Sequence, residues 1–123
     1  MNVEGITWHA VVLGPEPFAA TKALLAETFG LASAVDTEGF VQFNMPNGTT
    51  MELYAPQAVP DYGYNDGGVA FGFRVDDIEA ASTAAEAAGC ELLGQINRMQ
   101  DIAYSYRHFR GPDGRVYGLN EQK

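Results

Sequence analysis

The sequence predicts an α+β fold of two tandem βαβββ modules forming paired curved mixed sheets. Three observations predict it: a turn-centred motif that occurs twice, a helical stretch closed by glycine upstream of each copy, and a Pro/Gly-rich segment between the halves. From Phe43 the chain runs Phe-Asn-Met-Pro-Asn-Gly-Thr-Thr-Met-Glu-Leu, and from Phe109 it runs Phe-Arg-Gly-Pro-Asp-Gly-Arg-Val-Tyr-Gly-Leu. Phe, Pro, Asn/Asp-Gly and Leu recur at the same offsets. Each copy sets a turn dipeptide between segments of strand character, as a β-hairpin requires.

Each element follows in order. The apolar strand Ile6 to Leu13 opens the first module. The helical stretch Phe18 to Phe29 carries Phe18, Leu25 and Phe29 on one face and is closed by Gly30. Strand segments follow around Val35, at Gly39 to Phe43 and at Thr49 to Tyr54. The second module repeats the plan: a strand over Val69 to Val75, then a helix over Ile78 to Ala88 closed by Gly89. Asp76 as cap and Glu79 three residues later mark the helix start. Strands at Leu92 to Ile96, Ala103 to Arg110 and Arg115 to Leu119 complete it. Between the halves, Pro56, Pro60, Gly63, Gly67 and Gly68 make a linker. Module 1 therefore covers residues 1–55, the linker 56–68 and module 2 residues 69–123, all in one domain. A sheet with a helix on one face leaves its other face to be covered, and pairing two such sheets encloses a groove.

Composition narrows the function classes. The chain has 123 residues, 46% of them hydrophobic and 19% charged, which suits a folded domain and not a disordered segment. Sixteen acidic against seven basic residues leave a formal charge of −9, so the surface field repels phosphate backbones and anionic lipid, and neither nucleic acid nor membrane is an expected partner. No apolar run approaches the roughly 20 residues that span a bilayer, and the first residues show no leader pattern, so the protein reads as cytoplasmic. The lone Cys90, after a glycine at a helix end, reads as a buried structural thiol.

The two Phe-x-x-Pro-Asn/Asp-Gly hairpins, the Val75-Asp76-Asp77 segment before the second helix and His9 on the first strand together resemble the vicinal oxygen chelate superfamily. That group includes glyoxalase I, extradiol dioxygenases, fosfomycin-resistance enzymes and bleomycin-binding resistance proteins. The resemblance spans essentially the whole chain and is specific for fold, while the scaffold hosts many activities. It implies that a metal, where present, is held by one residue from the first and one from the last strand of each half. Those positions match His9 and Glu52 in the first half, and Ala70 and Gly118 in the second, which have no ligating side chain. A divalent ion on an imidazole and one carboxylate has fewer protein ligands than such sites normally keep. No cofactor is therefore expected, with a divalent metal on His9 and Glu52 as the alternative.

Strand alternation supplies the rest of the groove. With Phe109 packed against the helix, Tyr104, Tyr106, His108 and Arg110 face the groove. With Glu52 facing inward, so do Thr50 and Tyr54; His9 is joined by Thr7, Val11 and Leu13. Gln42 is the counterpart of His108, with Phe40 on the same face, and Trp8 falls on the opposite parity. An inward carboxylate such as Glu52 requires a partner, because leaving it unpaired and dry costs several kcal/mol. The lining suits a small aromatic or polycyclic ligand captured by stacking with no bond broken, as in the drug-binding resistance members that the resemblance brings in. The alternative is a lyase, isomerase or dioxygenase in which a metal chelates vicinal oxygens of the substrate. A metal-free variant would use Glu52 or His108 as acid or base. A third reading leaves the domain a role in assembly only. Small members of the family often pair, so a homodimer is expected.

Overall fold

The computed structural model describes residues 1–65 and 67–123; Asp66, inside the linker, lies outside the described residues. Among the described residues the order is β1 (Val3–Val12), α1 (Pro15–Ala23), β2 (Ala32–Thr37), β3 (Phe40–Asn44), β4 (Thr50–Tyr54), β5 (Val69–Val75), α2 (Ile78–Ala87), β6 (Glu91–Met99), β7 (Tyr104–Arg110) and β8 (Val116–Gln122). This is the βαβββ plan twice, and the sheets are mixed: β1 pairs β4 and β5 pairs β8 in parallel, while the hairpin strands are antiparallel.

The chain divides into two compact bodies, Trp8–Ala70 and Met1–Thr7 with Phe71–Lys123. The start of the chain thus groups with the second half and not with the first module. The reason is a set of long-range bonds: Asn2 N–H donates to Asp76 Oδ1 at 2.7 Å, Asp76 N–H to the Asn2 carbonyl at 3.1 Å, and Thr7 Oγ1 to Asn120 Oδ1 at 3.1 Å.

In the first body the strands lie in the order β2-β3-β4-β1. Val41, Phe43, Leu53 and Leu25 form its core, with Val11, Leu13, Phe18, Leu31 and Met51 packed against them. Helix α1 ends earlier than its apolar spacing predicts. A π turn over Leu24–Thr28 replaces the last α turn, so Phe29 does not continue the face of Phe18 and Leu25 and is 63% exposed.

In the second body the order is β5-β8-β7-β6. Val75, Ile78, Ala81 and Leu119 form its core, with Ile96 and Phe109 against them. Phe43 and Phe109 both pack toward a helix, as their equivalence requires. The repeat extends to the hairpin turns: Met45 N–H donates to the Thr49 carbonyl at 2.9 Å and Gly111 N–H to the Arg115 carbonyl at 2.8 Å, with Gly48 at φ +85° and Gly114 at φ +79°.

The cap of α2 differs from the expected one. Asp77, not Asp76, is the N-cap and accepts from Ala80 N–H at 3.0 Å; Asp76 is turned to Asn2 instead. Glu121, 7% exposed, accepts from Ile78 N–H at 3.2 Å, so a buried carboxylate meets the positive end of the helix. Gly89 closes α2 at φ +96°, and Cys90 after it is half-buried, not buried. Among the described residues no helix is long and apolar enough to cross a membrane.

Candidate functional site

Each body has a sheet face turned away from its helix, and the candidate residues divide between these faces according to register. In the first body β1 pairs β4 so that Trp8 meets Thr50, His9 meets Met51 and Ala10 meets Glu52. Paired residues project to one side, so Trp8, Ala10, Thr50, Glu52 and Tyr54 share the helix-free face. The β3 register adds Phe40 opposite Tyr54 and Gln42 opposite Glu52. His9 and Val11 are on the other side. Val11 packs into the α1 core, and His9 Nδ1 donates to the Thr50 carbonyl at 2.9 Å. The expectation that His9, with Val11, shares a face with Glu52 is therefore corrected. The parallel β1–β4 register decides it, and it gives the place beside Glu52 to Trp8.

The partner that Glu52 requires is a pair of donors. Trp8 Nε1–H donates to Glu52 Oε1 at 2.7 Å, and Tyr54 O–H donates to the same oxygen at 2.6 Å. Tyr64, from the linker, closes against both rings: its centroid is 5.6 Å from Trp8 and 5.1 Å from Tyr54, each edge-on, and its hydroxyl donates to Tyr54 at 3.3 Å. Phe40 meets Tyr54 at 4.9 Å. Burial pushes the Glu52 carboxyl above the usual carboxylate range, and the two donors only partly oppose this. Burial and the neighbouring carboxylate push the Tyr54 phenol up as well, so it stays a donor.

In the second body β7 pairs β8 with Tyr106 opposite Asn120, His108 opposite Gly118 and Phe109 opposite Tyr117. Phe109 lies on the α2 side, so Tyr104, Tyr106, His108 and Arg110 lie on the helix-free side. The first three form a ladder of rings, with centroids 6.1 Å apart from Tyr104 to Tyr106 and 5.9 Å from Tyr106 to His108, tilted by 33° and 49°. His108 is 8% exposed, and burial lowers its pKa to about 4, so the imidazole is neutral at physiological pH. Arg110 stands at the end of this row, with Nε 3.3 Å from Glu91 Oε1 and Nη1 donating to the Gly114 carbonyl at 3.0 Å.

The residues present do not fit a divalent metal. Of the positions expected to carry ligands, His9 lies on the face of β1 opposite to Glu52, and the side chain that reaches Glu52 from β1 is Trp8, whose indole nitrogen is a donor only. Ala70 packs with Trp8 and Ala10, and Gly118 has no side chain. Among the described residues no three His, Cys, Asp or Glu side chains converge. The single carboxylate, Glu52, already accepts two hydrogen bonds on one oxygen.

Sequence reasoning missed Trp8 and Tyr64 in the first body and Arg74 in the second. Arg74 was legible: Val75 faces the α2 core, so alternation puts Arg74 on the helix-free face, where its Nε donates to Asn120 Oδ1 at 3.4 Å. Tyr64 was not, because a linker has no period from which to read a side.

Residues 9–116 match the Glyoxalase/Bleomycin resistance protein/Dioxygenase superfamily. No curated protein sequence matches the chain. Among solved structures, the Mn(II)-bound glyoxalase from Novosphingobium aromaticivorans superposes with a TM-score of 0.73 at 19% identity, over 97% of this chain and 39% of that one. Methylmalonyl-CoA epimerase from Mycobacterium tuberculosis gives 0.67 at 14%, over 98% and 89%. A glyoxalase/bleomycin resistance protein/dioxygenase superfamily member from Vibrio splendidus 12B01 gives 0.62 at 16%, over 98% and 100%. At such identities the likeness concerns the fold alone.

Proposed function

The chain belongs to the glyoxalase/bleomycin resistance protein/dioxygenase superfamily, and from that premise we propose that it is a metal-independent binder of a small planar aromatic molecule. The observation that supports this reading is the Tyr104–Tyr106–His108 ladder on the helix-free face of the second body. Rings spaced along one strand offer a planar ligand offset or edge contacts, each contributing about 0.5–1.5 kcal/mol beyond burial. The neutral imidazole of His108 ends the row of rings as an uncharged wall. Independence from metal is supported by the Trp8 and Tyr54 donors that engage the Glu52 carboxylate.

The test uses 2-naphthamide, a flat neutral probe, titrated into the protein with and without EDTA and followed by calorimetry. Saturable binding unchanged by the chelator is expected, with Tyr106→Ala weakening it about tenfold, as loss of a stacking contact implies. Binding abolished by EDTA, or indifferent to Tyr106→Ala, would overturn the reading.

A second reading has one observation in its favour. Glu52, with its raised proton affinity and two fixed donors, has the attributes of a general acid or base in a metal-free reaction. Mass spectrometry of incubated candidate ligands separates the two readings: capture returns the ligand unchanged, whereas catalysis returns a product whose formation Glu52→Gln abolishes.

A further inference from the structure

Most of the chain's cationic side chains are accounted for by near neighbours. Lys22 pairs with Asp36, Arg98 with Glu79, Arg110 with Glu91, Arg115 with Asp113 and Lys123 with Glu121. Arg107 donates Nε to the Gly94 carbonyl at 3.0 Å. Arg74 is different. It is half-buried, forms no ion pair with any described carboxylate although the chain carries sixteen, and has as its polar contact the 3.4 Å bond from Nε to Asn120 Oδ1. A guanidinium whose terminal N–H groups have no acceptor among the described residues keeps those donors available for an incoming anion.

Its position gives the anion a context. Arg74 pairs in register with Asn120 on β8, and Asn120 pairs with Tyr106 on β7, so the three residues form one row across the helix-free face. Asn120 is 2% exposed and also accepts from Thr7 Oγ1 at 3.1 Å, which fixes the carbonyl that orients the Arg74 fork. Neighbouring strands are about 4.8 Å apart, so the Cα atoms of Arg74 and Tyr106 stand about 10 Å apart. A planar ring bearing a carboxylate spans that interval, with its oxygens on the guanidinium and its ring reaching the tyrosine.

We propose that Arg74 is an anion-binding residue and that the ligand is an aromatic carboxylate, or an aromatic compound with an equivalent planar anionic group. This inference rests on the aromatic-binding reading above and names the ligand class for it. Bidentate contact to a carboxylate is the geometry for which a guanidinium fork is suited and a point charge is not. The formal charge of −9 sharpens the inference, because the protein as a whole repels anions. A preference for the anion over its neutral isostere therefore requires a local cation.

The experiment compares 2-naphthoate with 2-naphthamide by calorimetry on the full chain. The parent protein is expected to bind the carboxylate about tenfold or more tightly than the amide, as a charge-assisted bond implies. Arg74→Gln removes that preference by weakening the carboxylate far more than the amide, and Arg74→Lys, which keeps the charge without the fork, retains part of it. The amide titration doubles as the folding control for each variant. Equal binding of the two probes by the parent, or a preference that survives Arg74→Gln, would overturn the inference while leaving aromatic binding intact. Failure of both probes to bind would overturn both.

Discussion

Two ionisable side chains, the buried His108 and the half-buried Glu52, give the molecule opposite responses to pH. His108 stays neutral in the fold down to about pH 4, while the unfolded imidazole takes up a proton near 6.5. Between those values the unfolded chain binds more protons, so this contribution to stability is complete above pH 6.5 and is lost as pH falls, by on the order of 3 kcal/mol once pH 4 is reached. Urea denaturation at pH 7 and pH 4.5 is expected to show the decline in the parent protein and a much smaller one in His108→Gln. Glu52 acts in the other direction. Its carboxyl holds a proton more tightly folded than unfolded, so stability is lost as pH rises through its folded value. Glu52→Gln keeps an oxygen for the Trp8 and Tyr54 donors and removes the charge. Thermal melts are expected to show the variant more stable than the parent at pH 8, with the gain shrinking at pH 4; a less stable variant at pH 8 would mean that the ionised carboxylate is favourable where it sits.

At the scale of elements, α2 shows how a one-residue shift changes what a side chain does. Asp76 and Asp77 are equally good caps by residue type, but only Asp77 reaches Ala80 N–H. Asp77→Ala is expected to cost about 1 kcal/mol, the usual worth of a cap. Asp76→Ala should cost less, since its bonds to Asn2 are exposed to water. Urea midpoints order the two, and the reverse order would move the cap back to Asp76. Strands show the same sensitivity with larger consequences, because slipping by one residue exchanges faces. On β7 the assignment of Tyr104, Tyr106 and His108 was legible, because Phe109 is tied by the repeat to Phe43 and so to the helix side. On β1 no such tie exists: the strand alternates Trp8 and His9, and nothing local says which side meets α1. The parallel register with β4 chooses Trp8 for the Glu52 side, and the consequence is a carboxylate held by an indole and a phenol.

For the whole molecule, the duplication dominates. Two βαβββ units with the same strand order and the same hairpin turns account for the architecture, and the superfamily assignment rests on nearly the full chain. Neither needs long-range information to be read, because turn residues, glycine closures and apolar spacing act over a few neighbouring positions and are written directly in the residue order. The candidate site is another matter. The bonds that join Trp8 to Glu52, Tyr64 to Tyr54 and Arg74 to Asn120 link residues between 10 and 46 positions apart. Such contacts depend on strand register and on the path of a linker. By itself, then, the order of residues determined the repeated scaffold and the face of the tyrosine ladder. Tertiary structure alone decided which side chains meet the half-buried Glu52 carboxylate and that Arg74 meets Asn120, because only the assembled strands bring those distant positions within reach of a hydrogen bond.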